Sequence, residues 1–301
     1  MVIDFRTRIT NPSDPYAEPT PGAAINASFE SATQCVDAAV VIGERCDRLG
    51  HHVTAETIAD FVNQEPTRRV GFAAIDATAD TVAEDIDQAI ELGCSGLALA
   101  PADQGVRPTD DRCMQTLELA AAKDLPVLIA NPLLISRPES VVEFARPSLL
   151  DEAARSINNL RLIFGDLHVF QDEAFLMLAK HEGCFAEISG VAATTWSLRQ
   201  TLTLAYERNA IEKLFLGSGF PHEKPGALIE RIYTLNSGPG AAALPTIPRR
   251  LIQGIVERDA FGLVGIEHFS ASNAHPREIE APKPIITDAA RRSLRTPSSS
   301  N

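Results

Sequence analysis

Tryptophan, tyrosine and lysine are scarce in this chain, with one Trp and three Tyr among 301 residues, so there is no aromatic cage and no basic stripe to interpret. Basic residues are also outnumbered, 27 Lys and Arg against 40 Asp and Glu, for a formal net charge of -13. The field of such a molecule opposes approach to phosphates, which argues against a nucleic-acid or anionic-membrane surface. No apolar run approaches the roughly 20 residues needed to cross a bilayer, and the N-terminus lacks the basic, then apolar, then small-residue order of a signal peptide. A cytoplasmic location is the expectation. The five cysteines, Cys35, Cys46, Cys94, Cys113 and Cys184, are scattered and form no C-x-x-C pair, so neither a disulfide framework nor a zinc knuckle is suggested. Cys46 lies close in sequence to His51 and His52, where a thiol and an imidazole could meet, although a buried or incidental cysteine is the plainer reading. No glycine-rich segment carries a phosphate-cradling signature, and Ser237-Gly238-Pro239-Gly240 reads as a turn.

What is present is enough apolar residue, 45%, to bury a large core, and a length that suits one α/β barrel or two smaller domains. The opening stretch Val2-Ile3-Asp4-Phe5-Arg6-Thr7-Arg8-Ile9 is strand-like, and two-residue alternation places Asp4, Arg6 and Arg8 on one face. Taken alone, it reads equally well as an edge strand with a solvated basic face. Residues 11–26, rich in Pro, Ser and Asp, read as a long excursion over the mouth of whatever the first strand enters.

Beyond them the apolar strand 38–43 ends in a polar, charged exit over residues 44–50. The helix 54–64 follows, with Thr54 as N-cap and Ile58, Phe61 and Val62 facing inward. The same unit then repeats. Strands are expected at 69–76, 96–100, 126–130, 160–165, 185–189 and 214–216, and helices at 81–92, 110–123, 149–157, 172–181 and 196–209. These strands are short, largely apolar on both faces and joined by helices, the pattern of a parallel sheet buried on each side. Eight such units predict a single-domain (β/α)8 TIM barrel over residues 1–269. Two further helices are expected at 227–235 and 248–258. Residues 270–301 are polar and contain proline, and the expectation is an extended or disordered tail.

Several segments resemble the amidohydrolase-related family at matching places in chain order. They are strand 38–43, Arg69-Val70-Gly71-Phe72-Ala73-Ala74-Ile75-Asp76, Glu91-Leu92-Gly93-Cys94-Ser95-Gly96-Leu97, Leu125-Pro126-Val127-Leu128, and Leu216-Gly217-Ser218-Gly219-Phe220-Pro221-His222. The last is similar to a Gly-Ser-Asp-x-Pro-His turn. The resemblance implies a metal-dependent hydrolase or decarboxylase, with a first strand of the form Asp-x-His-x-His. Here the metal positions depart from the pattern. Arg6 and Arg8 stand for the two strand-one histidines, Asn131 for the histidine ending strand five, Asp166 for that of strand six, and Gly219 for the catalytic aspartate of strand eight; Ala98 matches a lysine often seen in strand four. His168 is a displaced ligand if the strand-six alignment slips by two residues. A guanidinium has donors only, cannot ligate a cation and repels one.

No metal and no cofactor are therefore expected, and several contents of the mouth remain open. One is a closed network in which Arg6, Arg8, Asp166 and Asn131 make charge-assisted hydrogen bonds to one another. Another is a small-anion site, with Arg6, Arg8, Asn131 and Ser218 as ligand-binding candidates. A third is a metal-free enzyme, with Asp166, His168, His222 and Glu223 as catalytic candidates. A relocated metal site built from His51, His52, His168 and His222 is a further arrangement. Glu187 and Ser189 share one face of strand seven, and Asp76 closes strand three. The resulting expectation is a degenerate, non-hydrolytic amidohydrolase-like barrel serving small-anion binding or protein interaction and assembly, a pseudoenzyme forming homo-oligomers. The alternative is an active metal-free hydrolase or decarboxylase acting on a carboxylated small molecule.

Overall fold

Short apolar strands that alternate with amphipathic helices can bury both faces only in a sheet covered by helices, and the chain reaches that solution by closing the sheet on itself. The computed structural model describes residues 1–10, 23–167, 169–237 and 246–267. Eight parallel strands follow in chain order: β1 Ile3–Thr7, β2 Ala38–Ile42, β3 Arg69–Ala74, β4 Gly96–Leu99, β5 Val127–Ile129, β6 Leu162–Phe164, β7 Cys184–Glu187 and β8 Leu214–Phe215. The barrel closes where the segment after β8 meets β1. Phe5 N donates to Leu216 O at 2.8 Å, Gly219 N to Arg6 O at 2.9 Å and Arg8 N to Phe220 O at 2.8 Å.

Alternation along the strands divides the core in two. Ile3, Phe5, Ala38, Val40, Phe72, Leu128, Ile163, Phe185 and Phe215 fill the barrel interior, while Ala39, Val41, Leu97, Leu99, Ile129, Leu162 and Ala186 face the helices. The interior is floored by aromatic rings. Phe5 meets Phe72 edge-on at 5.7 Å and Phe215 at 5.1 Å, and Phe261, on the short helix Ala260–Leu263, lies 6.2 Å from Phe5. This plug leaves only the opposite, C-terminal end of the strands free to carry a site.

The helices are α1 Ala23–Thr33, α2 Ala55–Val62, α3 Val82–Glu91, α4 Pro101–Gln104, α5 Asp111–Ala122, α6 Asp151–Ser156, α7 Gln171–Lys180, α8 Thr195–Glu207, α9 Pro225–Tyr233, α10 Arg249–Glu257 and, at the barrel floor, α11 Ala260–Leu263. Thr54 caps α2 as expected, its hydroxyl accepting from Thr57 N at 3.2 Å.

Several elements differ from the expectation: the short helices α4 and α11 are additional to it, and two further differences bear on the site. The stretch read as a loop from 11 to 26 already enters α1 at Ala23. That helix has only two large apolar residues, Ile25 and Phe29, and packing decides it: Phe29 is fully buried, 5.1 Å from Phe61 and 5.6 Å from Phe220. The charged exit of β2 is a small antiparallel hairpin, Arg45–Cys46 against His51–His52, turned by Gly50 at φ 71°. Residues 11–22, the turn at 238–240 and the tail 270–301 lie outside the described residues. Among those described, no helix is long and apolar enough to cross a membrane.

Candidate functional site

The site begins with an irregularity in β1. Asp4 pairs with Ala39 and Thr7 with Val41, so Phe5 and Arg6 together oppose the single residue Val40. This β-bulge breaks the alternation. Phe5 faces the interior and Arg6 reaches into the mouth above it, while Asp4 shares the outer face with Ala39. The expectation that Asp4, Arg6 and Arg8 share one face is therefore corrected: the inserted residue turns Asp4 away from the two arginines.

Arg6 is 1% exposed and caged by acids from three other strands. Its Nη1 lies 3.0 Å from Glu187 Oε1 and 2.9 Å from Asp166 Oδ1, its Nη2 donates to Asp166 Oδ2 at 3.0 Å, and Glu44 Oε1 stands 3.8 Å away. Burial alone would lower the guanidinium's pKa, but Asp166, Glu187 and Glu44 outweigh it and the net shift is upward, so Arg6 stays charged. The fork geometry of the guanidinium suits such two-sided pairing.

The cage needs space that two glycines supply. A Cβ at Gly217 would stand 2.3 Å from Glu187 Oε2, and one at Gly165 would stand 2.8 Å from both Arg6 Nη1 and Glu187 Oε1. Glu187 is held from behind by Ser189, whose backbone N donates at 2.7 Å and whose hydroxyl lies 2.9 Å from Oε1. Strand β7 ends at Glu187, so Ser189 lies in the turn beyond it and not on the strand face expected to carry both; its Oγ stands 3.4 Å from Arg6 Nη1.

Asp166 adopts a left-handed conformation, φ 51°, which directs its carboxylate back to Arg6 and to Asn131 N at 2.9 Å. Asn131 reaches the cage through that backbone group. Its side chain turns away, Oδ1 accepting from Ala102 N at 2.8 Å at the start of α4. Arg8 is 9% exposed, and among the described residues its guanidinium meets Glu44, Nη1 to Oε2 at 3.5 Å. Burial raises the pKa of Glu44 against the opposing pull of Arg8 and Arg6.

The remaining candidates lie elsewhere. Ser218 sits on the outer face with Asp4, donating its hydroxyl to Oδ2 at 2.5 Å and its N–H to Oδ1 at 2.8 Å, and is not brought to the arginines. Burial pushes the Asp4 carboxyl up to about 7, against the hydrogen bonds from Ser218 and from Arg6 N. His222 is exposed, while Glu223 is tied to Arg231 at 2.7 Å rather than to the imidazole. His168 and the side chains of His51 and His52 lie outside the described residues. Cys46 is the cross-strand neighbour of His51, but its buried thiol points to Asp103 O at 3.1 Å and burial raises its pKa to about 11.

Gly219, at φ 67°, donates its N–H to Arg6 O across the seam of the barrel, and a Cβ there would stand 3.1 Å from that of Ser189. An aspartate at this position would carry the strain of a left-handed residue in a crowded seam. Among the described residues, no three His, Cys, Asp or Glu side chains gather to hold a metal ion. The carboxylates at the mouth close on Arg6, and a divalent cation about 4 Å from the guanidinium would face repulsion of about 8 kcal/mol at an effective dielectric near 20.

Sequence reading missed Glu44 as a partner of both arginines. The available signal was its place two residues beyond interior Ile42, the same spacing that puts Glu187 two beyond interior Phe185.

A family model described as Amidohydrolase matches residues 4–245. A comparison with curated proteins gives no match. Among solved structures, an uncharacterised TIM-barrel protein from Bordetella bronchiseptica superposes with a TM-score of 0.65 at 15% identity, over 88% of this chain and 98% of that one. A probable 2-pyrone-4,6-dicarboxylic acid hydrolase from Acinetobacter baumannii, with citric acid bound, gives 0.58 at 15% identity over 88% and 99%. A 2,6-dihydroxybenzoate decarboxylase from Rhizobium gives 0.59 at 13% identity over 88% and 98%. At these identities the superpositions establish the fold.

Proposed function

The chain belongs to the amidohydrolase family, and we propose that it is a non-hydrolytic member whose barrel mouth is organised by an arginine in place of a metal centre. The observation that carries this reading is the capture of Arg6. A guanidinium with almost no solvent exposure is clasped by Asp166 and Glu187 where a metal-dependent relative needs free ligands. The metal of such a relative lowers the pKa of a bound water. The described donor set here does not fit that ion.

The alternative, a metal-free hydrolase or decarboxylase that clasps a carboxylated substrate with Arg6 and Arg8, is less well supported. Arg6 already spends both terminal nitrogens on carboxylates, and the catalytic candidates Asp166, His222 and Glu223 are not assembled into an acid and base pair. The same capture weighs against the small-anion form of the reading. The scaffold then serves interaction and assembly, with further copies of the chain as the first partner to test by mass in solution.

The decisive experiment is elemental analysis of untagged protein purified without chelator, with its melting temperature measured before and after EDTA. The expected result is metal well below one equivalent per chain and no change on chelation. Stoichiometric zinc or manganese, lost with stability on chelation, would overturn the reading.

A further inference from the structure

The long connection from β5 to α6 carries an apolar hole flanked in sequence by two protruding apolar side chains. The hole opens at the rim of the barrel mouth and is lined by Leu134, Phe144, Leu150, Phe164, Leu167 and Phe170; its volume admits one or two methyl-sized groups. The charged groups at its edge are already spent. Asp166 is held by Arg6 and by Asn131 N, and Arg146 pairs with Glu173 while its guanidinium lies 5.2 Å from the centre of the Phe170 ring. What the hole offers an occupant is shape and apolar surface.

The two protruding side chains are Ile135, next to Leu134 and 73% exposed, and Val142, two residues before Phe144 and 51% exposed. Both stand on fixed backbone. Ser136 N and Arg137 N each donate to Leu133 O at 3.0 Å, Leu133 N donates to Asp103 Oδ2 at 3.1 Å, and Val141 N donates to Ala102 O at 2.9 Å. Single exposed apolar residues are ordinary on a protein surface, but two on either side of an apolar hole make a patch with relief.

That relief selects the occupant. In an isologous two-fold contact, residue i meets j of the second copy and j meets i, so one surface must carry both the knob and the hole. Here they are one residue apart. A two-fold axis passing between Ile135 and the hole seats the branched tip of each isoleucine in the hole of the other copy. Charge complementarity permits the approach. Residues 131–150 carry Arg137 and Arg146 against Glu139 and Glu143 and are neutral, in a chain whose net charge of -13 otherwise makes copies repel. The pairs Arg107–Glu143 and Arg146–Glu173 supply both signs beside the hole.

We infer that this face is the surface on which two copies of the chain pair about a two-fold axis, the Ile135 side chain of each entering the hole between Leu134 and Phe170 of the other. The inference rests on the reading that the barrel serves assembly, and gives that assembly its surface.

Sedimentation of the full-length protein over a range of concentrations, at constant ionic strength, tests it. The expected result is a monomer–dimer equilibrium with dimer present by about 100 µM, the range of a weak interface of modest size. Ile135→Ser removes the knob at an exposed position on which folding does not depend, and is expected to weaken the dimer roughly tenfold or more, as at other apolar anchors that fill pockets. Ala145→Leu fills the hole from its own wall and is expected to weaken the dimer to a similar extent. An equimolar mixture of the two variants keeps one knob and its hole intact, and is expected to hold more dimer than either variant alone. Leu176→Ser, at an exposed position on α7, is the control and is expected to leave the dimer unchanged. The inference is overturned if the wild-type protein stays monomeric at that concentration, if Ile135→Ser or folded Ala145→Leu leaves the dimer as strong, if the mixture gains nothing, or if Leu176→Ser is equally damaging. The failures are distinguishable: a monomeric wild type removes self-assembly from the reading beneath as well, whereas a dimer indifferent to Ile135→Ser refutes this face alone.

Discussion

The guanidinium of Arg6, delivered by the first strand of the barrel, meets the carboxylate of Glu187, delivered by the seventh, at 3.0 Å, with 1% and 0% of their side chains exposed. A pair so completely removed from water has recovered its desolvation only through several short contacts at once. Removing Arg6 leaves the buried Glu187 with only Ser189 as its hydrogen-bond partner among the described residues, whereas removing Glu187 leaves Arg6 with Asp166 and Glu44.

Arg6→Met is therefore expected to destabilise the protein by about 3–5 kcal/mol, the cost of orphaning a buried partner. Combining it with Glu187→Met is expected to cost less than the sum of the two single changes, because the second removes the charge that the first strands. Urea unfolding of the four proteins in the cycle measures the coupling, and strict additivity would show the pair to be incidental.

Gly217→Ala places a methyl carbon 2.3 Å from Glu187 Oε2 on a carboxylate that cannot retreat. A loss of roughly 1–3 kcal/mol is expected, as for other overpacked cores. Gly226→Ala, in α9 with only Cys35 Sγ at 3.5 Å, is the control and is expected to be neutral or stabilising. Equal effects at the two positions would mean that the cage has slack.

Asp4 makes stability depend on pH in an unusual direction. Its folded carboxyl titrates near 7, against an ordinary value of 3.8, so between these values the folded state holds a proton that the unfolded chain has released. Stability falls as pH rises through this window, by up to about 1.4 kcal/mol per pH unit from this group. Asp4→Asn is expected to remove that slope while keeping hydrogen-bonding capacity toward Ser218. Denaturant midpoints of both proteins from pH 4.5 to 8 test it, and parallel curves would return Asp4 to ordinary behaviour.

Of the five cysteines only Cys35 is exposed, while burial raises Cys94, Cys113 and Cys184 to about 11, about 12 and about 12. A disulfide-exchange reagent is expected to label one thiol in the native protein and five after denaturation. Rapid labelling of a second native thiol would contradict the burial of Cys46, Cys94, Cys113 or Cys184.

The barrel was legible because its code is local. Runs such as 38–42 and 127–129 are apolar on both faces, and between them α2, α3 and α5 begin and end within two residues of the expected bounds. Helix α1 was hidden because burial of Phe29 beside Phe61, rather than its own periodicity, stabilises it. The mouth was half legible. That Arg6, Asp166 and the backbone of Asn131 meet follows from their positions at strand ends, yet the side chain of Asn131 turns to Ala102, and Ser218 lies behind the strand with Asp4.

The sequence by itself determined the order of strands and helices, the acidic surface and the presence of arginines where a first strand enters the mouth. Only the tertiary structure decided what those arginines do. A bulge of one residue in β1 separates Arg6 from Asp4, and closure of the barrel brings Glu44, Asp166 and Glu187 from the ends of distant strands onto one guanidinium. Electrostatic partners separated by up to 181 residues are chosen by strand register, and register is a property of the closed sheet rather than of any segment within it.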